Sequence, residues 1–477
     1  MGIFRSNNPL DYDLVDGIVI DEKAPAPSIQ GLKTNVVLLL GQFERGPDTI
    51  ESIGSTKKFY ETYGNNNSFS GQVQLQNKRF GILKIKRVIA SDAAKATITL
   101  DDGDTTDLLT LTAKHKGAYG NSIKVTVADD VITISDDNAN SPFNVETYEV
   151  TNANLAADLM SGSKLVDVTF IAAGALGDLA ETALASGADG TVSDTDYESA
   201  LADCEQERVA NLVFIDEYNA TRNGYLKAHS ITTQDRMVIC AGAVDETVSE
   251  VKTAVALLRD TDGRIIYAYN WLETTINGVK VFTSPSSWVA SAISQSGPHI
   301  DPASADNARF FLNASKVYAN LSRQDYIELK DAGVMGFEND PDIGIKIKSG
   351  IVTQIANSSK LTVVRRRMAD FLTNSIGIFL KLYQNGVNSK EQRDAVKAAI
   401  KRFDITYSTG AQKILPDDTE VSTGRALLVD TESLNDDTSI GEGKFFIKYK
   451  RRIYSSMRFI VLVAEIGEGV VVTESEE

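Results

Sequence analysis

Metal-binding and nucleophilic side chains are scarce in this sequence. Three histidines (His115, His229, His299) and two cysteines (Cys204, Cys240) are scattered over 477 residues. No two are spaced as metal ligands and there is no C-x-x-C pair, so neither a metal nor a cofactor is expected. The cysteines lie in apolar surroundings and read as buried free thiols rather than a bridge. Nothing resembles a nucleophile elbow. A phosphate-binding loop is missing too: Gly41-Gln-Phe-Glu-Arg-Gly46 follows a strand-like run, but Pro47 stands where the lysine would be. No apolar run reaches the ~18 residues that span a bilayer, so no membrane insertion is expected. The start lacks an apolar segment of secretory-signal length, which fits synthesis in a cytoplasm. Basic residues are outnumbered, 48 against 65 acidic, for a net charge of -17. That excludes general nucleic-acid binding, which needs basic stripes.

The charge that is present is partitioned. Residues 91–200 hold 19 acids against 5 lysines, whereas 345–460 hold 20 basic residues against 12 acids. Both ends are acidic and strand-like: Asp11-Tyr-Asp-Leu-Val-Asp-Gly-Ile-Val-Ile-Asp21 and the β-branched run 459–473, which finishes in Glu474-Ser-Glu-Glu477. Apolar strands at free ends invite pairing with another chain, or they form the two edges of the protein's own sheet.

Between the ends, the pattern predicts α/β and α+β architecture in several domains. A buried strand run at 35–41, a helix capped by Ser55 and a strand near 80–89 open an α/β unit. Residues 94–195 alternate with period two between Asp/Gly/Asn turns and read as an acidic, mostly β insertion. Helix and strand alternation resumes at 196–344, predicting a mostly parallel sheet. A basic α+β domain is expected at 345–458, with donated arms at 1–22 and 459–477 and the α/β domain starting at 23–93. Its first helix, 363–383, opens on Arg365-Arg-Arg367. Its second begins at Ser389 with Gln392 three residues on, the capping-box spacing. That helix sets Val396, Ala399, Ile400 and Phe403 on one face and Lys390, Arg393, Lys397 and Lys401 on another. The strand-like Lys448-Tyr-Lys-Arg-Arg452 offers further cations.

Taken in order, several motifs resemble the tail sheath proteins of contractile-tailed bacteriophages and related contractile injection systems. They are Pro27-Ser-Ile-Gln-Gly-Leu-Lys-Thr-Asn-Val-Val-Leu-Leu-Leu-Gly41, Arg45-Gly-Pro47, Ile53-Gly-Ser-Thr-Lys-Lys-Phe-Tyr-Glu-Thr-Tyr-Gly64, Ser284-Pro-Ser-Ser-Trp-Val-Ala290, 298–307, Leu361-Thr-Val-Val-Arg-Arg-Arg367 and Gly410-Ala411. The insertion is not covered, and the family's usual Trp near Ser389 is absent. The resemblance implies a non-enzymatic virion-tail subunit, assembled in the host bacterial cytoplasm as stacked hexameric rings around a tail tube. Its partners would be copies of itself, the tube protein, and baseplate and terminator proteins. Contraction would drive the tube through a bacterial envelope. On this reading Tyr12, Leu14, Ile18, Ile20, Val470, Val471 and Val472 belong to inter-subunit arms. Lys448, Lys450, Arg451 and Arg452 receive the arms, and Lys390, Arg393, Lys397 and Lys401 face the tube. The opposing expectation is an α/β enzyme with a ligand pocket at the strand ends of the middle domain.

Overall fold

The computed structural model describes residues 28–64, 80–136, 145–207, 210–276, 278–354, 361–409, 413–421 and 425–456, with the backbone of 3–5 and 18–20. Its spine is an eight-stranded sheet in the order Gly344–Ile347, Val334–Asp340, Ile265–Tyr269, Met237–Ala241, Leu212–Ile215, Val36–Gly41, Ile82–Arg87, Glu51–Ile53. The six inner strands are parallel and the two edges antiparallel. Parallel strands are covered on both faces and need apolar side chains on both. The run Val36-Val-Leu-Leu-Leu-Gly41 meets this demand, every residue being buried. Successive side chains enter opposite cores. Leu39, Phe214, Ile239 and Ile266 join Trp288 and Phe311 on one side. Leu38, Leu40, Val213, Cys240 and Tyr267 meet Tyr197, Leu226 and Val255 on the other. Each such aliphatic side chain contributes about 1.5–3 kcal/mol through burial.

The covering helices start where their sequences say they should. Ser193, Thr247 and Ser322 each close a capping box with Asp196, Glu250 and Asp325. Cys204 and Cys240 are buried and unbridged.

Residues 96–184 build a third core of their own. One sheet runs Val145–Glu149, Val131–Asp136, Ile123–Ala128, Leu179–Ala183, and the other Val166–Phe170, Asp107–Ala113, Thr97–Asp101. Two arginines fasten this body to the central sheet. Arg45 Nη1 meets Asp136 Oδ2 at 2.5 Å, both side chains being buried. Arg87 donates to the carbonyls of Phe43, Glu44 and Gly46, and to that of Lys116 in the insertion at 2.9 Å. This gives the Arg45-Gly-Pro47 loop a structural purpose.

The chain divides into two units, 33–371 with 455–456, and 28–32 with 372–454. The boundary therefore falls inside the helix Val363–Leu380 rather than at the expected 345. The reason is packing: Gly344–Ile347 pairs with the sheet edge, and Val363 belongs to the core around Trp288. The second unit holds the helix Lys390–Ser408 and an antiparallel ribbon of Leu427–Asp430 with Lys448–Arg451. Pairing in this ribbon begins at Lys448, where the strand-like run starts.

Candidate assembly site

The cationic ribbon and the helix beside it hold the residues singled out for assembly. Ser389 caps the helix, its hydroxyl accepting from the Gln392 amide at 3.3 Å. Val396, Ala399, Ile400 and Phe403 form its buried face, and the helix packs against Leu427–Asp430. Two asparagines shape the approach to the cationic strand. Asn388 donates to the Lys444 carbonyl at 2.9 Å. Asn435 exchanges two hydrogen bonds with the Phe446 backbone, at 2.7 and 2.8 Å. At the far end of the strand the Arg452 amide donates to the Ala426 carbonyl, 3.0 Å away.

Along Lys448–Arg451 the side chains alternate. Lys448, Lys450 and Arg452 are exposed, while Tyr449 and Arg451 turn inward. Lys448 lies opposite Asp430, and Lys450 opposite the partly exposed Leu428. The outward face is thus cationic with an apolar spot. Arg451 leaves this face: its side chain is 2% exposed and pairs with Asp404, 5% exposed, at 2.6 Å. Burial pushes the Asp404 carboxyl up and the Arg451 guanidinium pulls it back down. Of the four residues expected to receive an arm, Arg451 is therefore an internal brace.

The helix face needs a similar correction. Lys390 and Lys401 are exposed and Lys397 is half-buried. Arg393 is buried, donating to both the carbonyl and side-chain oxygens of Asn388 at 3.2 Å, with Glu432 at 3.7 Å. It anchors the helix start instead of joining the exposed stripe. Tyr12, Leu14, Val470, Val471 and Val472 lie outside the described residues, as does the whole of 459–473. Ile18 and Ile20 fall in a three-residue strand whose backbone runs parallel to Ile3–Arg5. The N-terminal strand thus has a partner on one edge, which its sequence did not announce.

The Arg365–Arg367 cluster splits three ways. Arg365 donates to the Ser455 hydroxyl at 2.7 Å. Arg366 and Arg264 clamp Asp370 from two sides at 2.5 and 2.8 Å. Arg367, buried, donates to the carbonyls of Ile293, Ser296 and Gly297 at 2.8–3.0 Å. It thereby satisfies the open end of the helix Pro285–Gln295. Sequence reasoning missed this role, for which a cation near no acid gives no signal.

A cleft of about 580 Å³ does open at the strand ends of the central sheet, lined by Asp216, Tyr218, Trp271, Phe282 and Tyr318 among others. Among the described residues, none that lines it is His, Cys, Ser or Lys. Burial raises the Asp216 carboxyl to about 6. It accepts from the Tyr197 hydroxyl at 2.5 Å and the Gln42 amide at 2.8 Å, locking together the ends of two adjacent strands. That network ties the strand ends together.

No protein-family model and no curated protein sequence matches this chain. Solved structures do. The sheath tail protein of Desulfitobacterium hafniense is 16% identical with a TM-score of 0.62, covering 92% of this chain and 100% of its own. That of Listeria innocua is 15% identical at 0.64, covering 89% and 96%. The contracted helical sheath of the anti-feeding prophage is 14% identical at 0.59, covering 94% and 99%. The chain has the fold of these contractile sheath proteins across nearly its whole length, and these neighbours are structural proteins rather than enzymes.

Proposed function

We propose that this protein is a sheath subunit that polymerises as stacked hexameric rings around a tail tube and contracts to drive the tube through a bacterial envelope. The observation that carries the reading is the two-stranded ribbon. Among the described residues neither strand has a neighbour on its outer edge. Its outward face presents Lys448, Lys450 and Arg452, the complement of the acidic strands at 11–21 and 459–477. Main-chain hydrogen bonds supply the affinity of such β-augmentation, and alternating charges set its register. Contacts that do not close on themselves grow into a tube. Rigid-body motion of subunits tethered in this way needs no nucleotide.

In this reading 1–22 and 459–477 are donated arms, with Tyr12, Leu14, Ile18, Ile20 and Val470–Val471–Val472 entering a neighbour's ribbon. The stripe Lys390, Lys397 and Lys401 faces the tube protein, and baseplate and terminator proteins close the ends. The acidic insertion keeps the filaments soluble by like-charge repulsion. The tail would be assembled in the host cytoplasm. Removing 465–477 tests the core of this: electron microscopy should find folded subunits and no tubes. Tubes of normal length from the shortened chain would overturn it.

A further inference from the structure

Four aromatic side chains, Tyr218, Trp271, Phe282 and Tyr318, line the strand-end cleft of about 580 Å³, and the carboxylates of Asp216 and Glu217 share its lining. Trp271 is fixed by its indole N–H, which donates to the Gly242 carbonyl at 3.1 Å. Phe282 and Tyr318 meet edge to face with ring centres 5.1 Å apart. These walls are held by the fold before anything binds. Tyr318 is 45% exposed, so they can be reached from solvent.

The charge in the cleft is not balanced. Arg222, the cation among its lining residues, is taken up by Asp194 at 2.7 Å and Glu217 at 3.0 Å. Asp216 is buried, and among the described residues its partners are the Tyr197 hydroxyl and the Gln42 and Glu217 amides, with no cation. A buried carboxylate without a counter-ion is costly, and an incoming cation relieves that cost. Three of its roughly four acceptor sites are already filled, so Asp216 has charge to offer but little room for hydrogen bonds. A primary ammonium brings three N–H donors that need acceptors, whereas a quaternary ammonium brings none and is held by aromatic faces. Aromatic faces here already attract cations: the Arg222 guanidinium lies 4.0 Å from the Tyr197 ring centre, and Lys316 Nζ lies 5.4 Å from that of Phe282. We propose that this cleft binds a quaternary ammonium group, with Trp271, Phe282 and Tyr318 around its methyl groups and Asp216 and Glu217 as the counter-charge. The site lies within one subunit and does not need polymerisation, so it stands or falls apart from the sheath reading.

Tryptophan fluorescence provides the test. The chain has two tryptophans, and Trp288 is fully buried, so the emission that acrylamide can quench reports Trp271. Choline is the probe, and its uncharged carbon isostere, dimethylbutanol, is the control. In dilute monomeric protein, choline should change the Trp271 emission saturably, and the isostere should bind at least about tenfold more weakly. Tyr318→Ala and Asp216→Asn should each weaken choline binding by about tenfold. Because Asp216 also ties strand ends together, Glu217→Gln at an exposed side chain serves as a second charge variant, with a loss of about threefold. Circular dichroism establishes that each variant is folded. Equal binding of choline and the isostere would overturn the proposal, since the cleft would then be selecting shape and not charge. So would the absence of a saturable response to choline, or wild-type affinity in both Tyr318→Ala and Glu217→Gln.

Discussion

Replacing Arg451 with Met separates a brace from a docking surface. The Arg451 and Asp404 side chains are 2% and 5% exposed and 2.6 Å apart. Removing the cation strands a carboxylate that burial already pushes up. Breaking one partner of a buried pair costs about 3–5 kcal/mol, a large share of the ~5–15 kcal/mol that holds a domain together. Hydrogen exchange read by mass spectrometry should therefore lose protection by about 10²–10⁴-fold over Lys390–Ser408 and the ribbon. The loss has a pH signature. A carboxyl whose folded pKa lies above its unfolded value adds stability below the unfolded pKa and forfeits it as pH rises through the folded one. The deficit of Arg451→Met should therefore shrink as pH falls through the raised folded value and be smallest below about pH 4. Converting both partners, Arg451→Met with Asp404→Leu, should restore most of the protection, since a hydrophobic pair can replace a buried ion pair at about equal stability. Lys448→Glu and Lys450→Glu should each move stability by less than about 0.5 kcal/mol while abolishing tube formation. If Arg451→Met leaves exchange in the helix and ribbon unchanged, the brace does not exist and Arg451 returns to the docking face.

Charge reversal at Lys390, Lys397 and Lys401 together should abolish assembly on tail tubes while leaving tube-free polymers, scored by co-sedimentation; unchanged co-assembly would rule out a tube-facing role. His229 is buried, and burial and Arg236 hold its imidazole down at about 4. The unfolded chain takes up the proton first, so stability is complete above about pH 6.5 and falls by up to ~3 kcal/mol as pH drops towards 4. His229→Leu should flatten that part of the urea-midpoint profile, and an unaltered profile would mean that other groups govern it. Arg45→Met removes the clamp on Asp136 and should expose the two crossings into the insertion, 90–96 and 184–193, to proteases; an unchanged cleavage pattern would show that Arg87 suffices alone.

The central sheet was legible because parallel strands demand continuous apolar runs, and Val36–Gly41, Leu212–Ile215 and Met237–Ala241 supply them. Helix starts were legible where a hydroxyl precedes the first turn, as at Ser55 and Ser389. Two misplaced cations carried a readable signal. Arg451 has the period-two phase of Tyr449, not of Lys448 and Lys450, and Arg393 lies about 20° from Ile400 around the helix. In both cases charge was allowed to outweigh periodicity. The division of Arg365–Arg367 among a hydroxyl, a carboxylate and three carbonyls carried none, because its partners lie 70 or more residues away in sequence, apart from Asp370.

The strand order of the central sheet sets a timetable for synthesis. Val36–Gly41 occupies the middle of the sheet, yet its neighbour Leu212–Ile215 comes some 170 residues later. At about 5–20 residues per second that is roughly 10–35 s during which one side of a wholly apolar strand has no mate. Among the described residues, the segment made in the interval, 97–183, finds its strand partners within itself apart from isolated bridges at its margin. It can fold while the rest waits, placing a compact and strongly anionic body next to the half-built sheet at the time when nascent chains are most prone to clump. The insertion would then act as a built-in solubiliser of the chain's own biosynthesis.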